Sequence, residues 1–182
     1  MGKGMQNTPE GVLLAAHQQA DFVELDVVKR AGGGFSCAHG LGRATDLGDC
    51  LAALGEKMGL IAHLKGRYKE ADLRRLVEEI TRHLPLERVI FAAHGSPVLR
   101  QLRPLFPSVR LARFGLLPAL VGLWKPLPWD CCMINQLVLT KGLVQALQQK
   151  GLEVMASCVW EFRSRRSVQQ LGVDGAFVNL YR

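Results

Sequence analysis

Cysteine is sparse and shows no pairing pattern. The five residues, Cys37, Cys50, Cys131, Cys132 and Cys158, make an odd count, two are adjacent, and no CxxC occurs. This argues against a disulfide framework or a zinc knuckle and points to reduced thiols in a cytoplasmic protein. Aromatic residues are few, 7% of the chain, and the basic–aromatic pattern of nucleic-acid modules is missing, so nucleic acid is not an expected partner. No apolar run approaches the roughly 18 residues that would span a membrane. The nearest, FGLLPALVGLW at 114–124, is short and interrupted by Pro118. The opening stretch MGKGMQNTPEG has no apolar signal core. Internal repeats and low-complexity linkers are also lacking.

What is present suits a packed α/β chain. Of 182 residues, 48% are hydrophobic and 21% charged, enough to bury a core. The length predicts one domain over 1–182. The net charge of +7 favours anionic partners such as phosphates, anionic lipid surfaces or nucleic acid and does not choose among them.

Strand and helix patterns alternate. Thr8-Pro9-Glu10 reads as a helix start, with Thr8 as cap and Val12, Leu13, Ala16 and Ala20 as the apolar face. FVELDVV follows as a strand, and Gly32-Gly33-Gly34 turns the chain back into FSCAH. Strands are predicted at 59–66, 89–95, 110–116, 130–136 and 152–160, with a last one in DGAFVNLY. Helices are predicted from Asp46, over 69–84, from Ser96 as cap, after Thr140 as cap, and in RSVQQLG. The clearest helix, 69–84, places Leu73, Leu76, Val77 and Ile80 at helical spacing. The segment 114–129 reads as a strand end and a packed loop, or else as an apolar, Trp-bearing segment dipping into an anionic membrane surface. About seven strands in βα order imply a mainly parallel sheet, and a barrel of the TIM type would carry its site at the C-terminal strand ends.

Polar residues gather at those ends. Glu24 and Asp26 stand at i and i+2 of one strand and so share a face. Two like charges on a buried face repel unless a cation or proton lies between them. Hard oxygen ligands suit Mg²⁺ or Ca²⁺. His63 and Lys65 repeat the spacing on the next parallel strand, and a lysine beside a metal is a natural phosphate partner. His39 has an imidazole suited to acid/base work near neutrality.

These motifs occur in an order that resembles the glycerophosphodiester phosphodiesterase family. The residues that carry the resemblance are Gln6-Asn7-Thr8, Glu24-Leu25-Asp26, His39 fifteen positions after Glu24, and Leu41, Arg43 and Thr45 behind it. His63-Leu64-Lys65 and Gly172-Val173-Asp174-Gly175 with Asn179 complete the set. The resemblance implies a TIM-type (β/α) barrel whose first strand is truncated or missing. It also implies a divalent cation held by Glu24, Asp26 and His63, a catalytic His39, and phosphate contacts from Lys65 and Lys3. The implied activity is hydrolysis of glycerophosphodiesters or related phospholipid headgroups.

The match departs from the family pattern at defined places. Gly2-Lys3-Gly4 stands where the family has His-Arg-Gly, and Gln6 stands for a glutamate. His63 replaces a third carboxylate, which lowers the negative charge and shifts preference toward Mn²⁺ or Zn²⁺. The segment Ser157-Cys158-Val159-Trp160 replaces the family's late aromatic segment. Two alternatives follow: a catalytically inactive relative that binds phosphorylated ligands, and a protein held peripherally at a membrane surface.

Overall fold

The structure is a computed structural model that describes residues 5–39, 44–55, 58–124, 127–159 and 162–178. Helix α1, Pro9–His17, starts where predicted: the Thr8 side chain accepts from the Gly11 N–H, and Pro9 fills a first-turn position. Its buried residues are Gly11, Val12 and Ala15, which pack toward α2, whereas Leu13 is exposed. The predicted face was thus turned from the observed one. Strand β1, Phe22–Lys29, returns through the glycine turn into β2, Phe35–Cys37. Gly33 and Gly34 take φ of +89° and +72°, values that a side chain would penalise. A two-residue strand, β3 (Thr45–Asp46), precedes α2 (Leu47–Ala52).

Regular alternation follows. It runs β4 (Gly59–Lys65), α3 (Glu70–Thr81), β5 (Val89–Ala93), α4 (Ser96–Leu105), β6 (Arg110–Phe114) and α5 (Leu116–Gly122). It continues through β7 (Cys131–Asn135), a 3-10 turn (Gln136–Val138), α6 (Lys141–Gln148), β8 (Glu153–Val159), α7 (Phe162–Gln169) and β9 (Gly175–Val178). The nine strands form one sheet in the order β3-β2-β1-β4-β5-β6-β7-β8-β9. From β1 through β9 the neighbours in that order are parallel, while β2 and β3 are antiparallel additions. The predicted βα order is therefore present. Among the described residues, however, the sheet curls as a half-barrel with β3 and β9 at its ends, and no pairing closes it into a ring.

Side-chain alternation sorts the sheet into two faces. The helix-covered face holds the large core, including Leu25, Val27, Leu60, Leu64, Phe91, Leu111, Ile134 and Val154. The concave face holds a smaller apolar cluster of Ile61, Ile90, Ala92, Ala112, Cys131, Met133 and Met155, with Phe22, Phe114 and Phe177 at its margin. Helix α3 buries Leu73, Leu76, Val77 and Ile80, the four residues its spacing singled out. Its start is fixed by Asp72, whose carboxylate accepts from the Lys69 N–H at 3.0 Å, from Lys29 Nζ at 2.7 Å and from Arg75 at 2.8 Å.

Two further expectations change. The cap of α4 is Gly95 rather than Ser96, which lies inside the first turn. The segment after β6 is the helix α5, not a loop. Pro118 falls in its first turn, where backbone N–H groups have no intrahelical partner, so the missing donor costs nothing there. All five thiols are free; Cys37, Cys50, Cys131 and Cys132 are buried and Cys158 is half-buried. Among the described residues, no helix is long and apolar enough to cross a membrane.

Candidate active site

The site is built where β1, β4 and the residues after β2 meet. Parallel register sets Asp26 beside His63 and Val28 beside Lys65. The hairpin brings the other strand back: the Ala38 N–H donates to the Asp26 carbonyl at 2.9 Å, which delivers the next residue, His39, to the Asp26 side chain. Alternation turns Glu24, Asp26, His63 and Lys65 toward the concave face, as predicted.

Asp26 is the hub. Its Oδ2 accepts from His39 Nδ1 at 2.7 Å and from Asn7 Nδ2 at 3.2 Å. Its Oδ1 lies 2.8 Å from Lys65 Nζ and 3.2 Å from His63 Nδ1. Glu24 Oε1 takes a second contact from His63 Nδ1, at 2.8 Å. Because a carboxylate only accepts, both histidines present their Nδ1 proton to it. His39 then offers Nε2 outward, on a side chain that is 70% exposed.

Burial opposes ionisation of Asp26, but hydrogen bonds from His63, Lys65 and His39 outweigh it and hold the carboxyl well below the usual range. Burial likewise opposes charge on His63, yet its bonds to Asp26 and Glu24 raise its pKa. His94, after β5, shifts the other way: partial burial and the neighbouring His63 and Lys65 charges lower it. The rings of His63, His94 and Phe114 form a cluster, with centroids 5.1 Å apart for the two histidines and 4.4 Å for His63 and Phe114.

Glu24, Asp26 and His63 can each offer a ligand atom, all within 4.8 Å of one another. Two hard oxygens with one imidazole nitrogen suit a divalent cation. Among the described residues, buried His63 Nε2 has no hydrogen-bond partner, and the ring's polar contacts run through the atom that faces the two carboxylates. The donor set therefore fits a metal, with Lys65 as a competing cation on Asp26. The site opens into a cavity of about 1290 Å³, whose lining includes Asn7, His39, His94 and Phe114. Deeper on the concave face, Arg110 lies 5.9 Å from the Phe22 ring and pairs with Glu153 at 2.5 Å.

Sequence reasoning named Glu24, Asp26, His39, His63 and Lys65, and the fold gathers all five. Lys3, Leu41, Arg43, Trp160 and Asn179 lie outside the described residues. Asn7 was given no role, yet it bonds Asp26 twice, since its Oδ1 also accepts from the Asp26 N–H at 2.7 Å. It does so with φ of +59°, a conformation asparagine tolerates better than most residues. An Asn directly before a helix cap was the available signal. Phe114 was also unassigned, because only tertiary packing brings it to His63.

No protein-family model matches the sequence, and no curated protein matches it either. Solved structures do. An Oleispira antarctica phosphodiesterase in complex with its product sn-glycerol-3-phosphate superposes with a TM-score of 0.81 at 16% identity, covering 97% of this chain and 89% of that one. A glycerophosphodiester phosphodiesterase from Agrobacterium tumefaciens gives 0.75 at 20% identity, with coverage of 97% and 91%. Another from Parabacteroides distasonis gives 0.80 at 16% identity, with coverage of 97% and 87%. The chain thus shares the fold of the glycerophosphodiester phosphodiesterases and is a structural relative of theirs at low sequence identity.

Proposed function

We propose that the protein is a divergent, metal-dependent phosphodiester hydrolase acting on glycerophosphodiesters or related lipid headgroups. The observation that carries this reading is the convergence on Asp26. One carboxylate orients an exposed histidine and also belongs to the cluster of Glu24 and His63, inside a cavity large enough for a small phosphodiester.

In this reading Glu24, Asp26 and His63 hold the cation, which when bound supplies charge neutralisation for the phosphate oxygens. Mg²⁺ or Ca²⁺ suits the two carboxylates, and Mn²⁺ or Zn²⁺ suits the imidazole. Lys65, lying beside Asp26, contacts a phosphate oxygen. His39 is held through Nδ1, so its Nε2 delivers a proton to the departing alkoxide as a water oxygen forms the new P–O bond. Partial burial and the neighbouring His63 and Lys65 charges bias His94 toward its neutral form, and in this reading it takes the proton from that water. A phosphate contact by Lys3 belongs to the same reading. The product bound by the Oleispira antarctica protein makes glycerol phosphate the first product to look for.

The test is release of glycerol phosphate from glycerophosphocholine and glycerophosphoethanolamine by chelator-treated protein, titrated with Mg²⁺, Ca²⁺, Mn²⁺ and Zn²⁺. Loss of one positioned acid/base group costs about 10²–10⁴ in rate, and His39→Ala is expected to fall by that factor. Equal turnover by the two proteins, or turnover indifferent to every metal, sinks the reading. Ligand-dependent thermal stabilisation without any turnover would mark an inactive phosphate binder instead.

A further inference from the structure

We propose that the outer face of α5 docks the protein on an anionic lipid bilayer and so turns the mouth of the cavity toward the headgroups. The docking stands on surface chemistry alone; what it delivers to the site rests on the hydrolase reading above.

Helix α5 is apolar on both sides. Ala119 is fully buried, and Leu116 and Leu123 pack against the large core. On the opposite side, Leu117, Leu120, Val121 and Trp124 recur at i, i+3, i+4 and i+7, exposed by 75%, 36%, 41% and 88%. A stripe with that spacing normally faces a core. Leu137 and Val138, exposed by 85% and 43%, follow directly on β7. Both segments leave the C-terminal ends of adjacent parallel strands, β6 and β7, the end of the sheet at which Asp26, His63 and Lys65 stand.

Charge selects the occupant. Residues 1–95 carry 12 acids and 12 bases, whereas residues 96–182 carry 4 acids and 11 bases. The whole net charge of +7 therefore belongs to the half that holds α5. Helices α4, α5 and α6 contain no Asp or Glu. Between 96 and 151 the one acid is Asp130, which is paired with Arg103 at 2.6 Å. Arg100 on α4, Lys141 at the start of α6 and Lys150 just after it are exposed. The crossovers place α4 and α6 on either side of α5 over the same face of the sheet. An apolar stripe with an interfacial Trp, set in a field of bases without acids, is complementary to anionic headgroups over an acyl boundary. A second copy of the chain would bring two such positive faces together and is disfavoured by the same charges.

Vesicle co-sedimentation tests this. The intact protein is expected to sediment with vesicles containing about one-third phosphatidylserine, weakly with pure phosphatidylcholine, and less as salt rises toward about 0.5 M. The double variant L117S/W124A alters only exposed side chains and is expected to lower partitioning about tenfold with an unchanged circular dichroism spectrum. Charge reversal by R100E/K141E is expected to remove the preference for phosphatidylserine. Glu24→Gln, which would stop hydrolysis, is expected to leave vesicle binding intact, so failure of docking and failure of the hydrolase reading are separable. Absence of sedimentation with the anionic vesicles, or equal sedimentation by L117S/W124A, overturns the proposal. So does a dimer in solution that L117S/W124A dissolves while vesicle binding is absent, which would assign the face to a second copy.

Discussion

Asn7 and Asp26 show how little of this site depends on any one contact and how much on one carboxylate. Asn7 accepts from the Asp26 backbone and donates to its side chain. Asn7→Ala removes both bonds and leaves an alanine at a positive φ. A loss of about 1–3 kcal/mol is expected, read as a lower urea midpoint at unchanged slope. Asp26 and Asp72 share a second consequence. Asp26 is buried and is held low by His63, Lys65 and His39; Asp72 is held low by Lys29, the Lys69 N–H and Arg75. A depressed carboxyl adds stability that is complete above its ordinary value of 3.8 and is lost as pH falls through the folded value. Melting temperature should therefore drop steeply on acidification below about pH 4, and Asp72→Asn should flatten that limb. The doublet spacing made Glu24 and Asp26 legible in sequence, and the glycine turn made His39 legible. Asn7 and Phe114 were not, because 19 and more residues of chain separate each from the group it touches; the place of Asn7 before a helix cap marks the residue but not its partner, and nothing local marks Phe114.

Gly59 opens β4 under a tight constraint. A Cβ there would lie 2.4 Å from Phe22 Cε1 and 2.9 Å from the Arg88 carbonyl oxygen. The carbonyl is backbone, and Phe22 is held beneath Arg110, so neither yields freely. Gly59→Ala is expected to destabilise by about 1–3 kcal/mol through overpacking. Gly142, in α6, has nothing within 4 Å of a built Cβ, and Gly142→Ala is expected to stabilise by about 0.5–1 kcal/mol. Opposite shifts in urea midpoint would confirm the pair; shifts of the same sign would refute it. The strands and α3 could be read from periodicity because burial on a sheet or a helix face imposes it directly. Helix α5 could not. Its residues are apolar on every side, so no amphipathic period marks it, and Pro118 suggested a break where the first turn tolerates one. Ser96 misled in a similar way, since Gly95 takes the extended conformation that the cap requires.

The parallel pairing of β1 with β4 brings His63 beside Glu24 and Asp26, so the three-residue cluster exists only when the sheet is formed. Binding a cation there should stabilise the folded state as a whole. At a free concentration of 100 times its dissociation constant the gain is about 2.7 kcal/mol. A rise in melting temperature with Mn²⁺ or Mg²⁺ that Glu24→Gln abolishes would support the candidate centre, and an equal rise in both proteins would place the ion elsewhere. The βα order, and with it the parallel sheet, was legible because helix and strand periods alternate along the chain; the open curl of the sheet among the described residues was not, since strand count does not dictate closure. The distribution of thiols has a practical outcome. Four are sealed inside the packed layers, and Cys158, half-buried, lines the cavity. A bulky maleimide should accordingly label one position in the native protein, and a dye attached there would report occupancy of the cavity, while the other four sulfurs would become reactive only as denaturant opens the core.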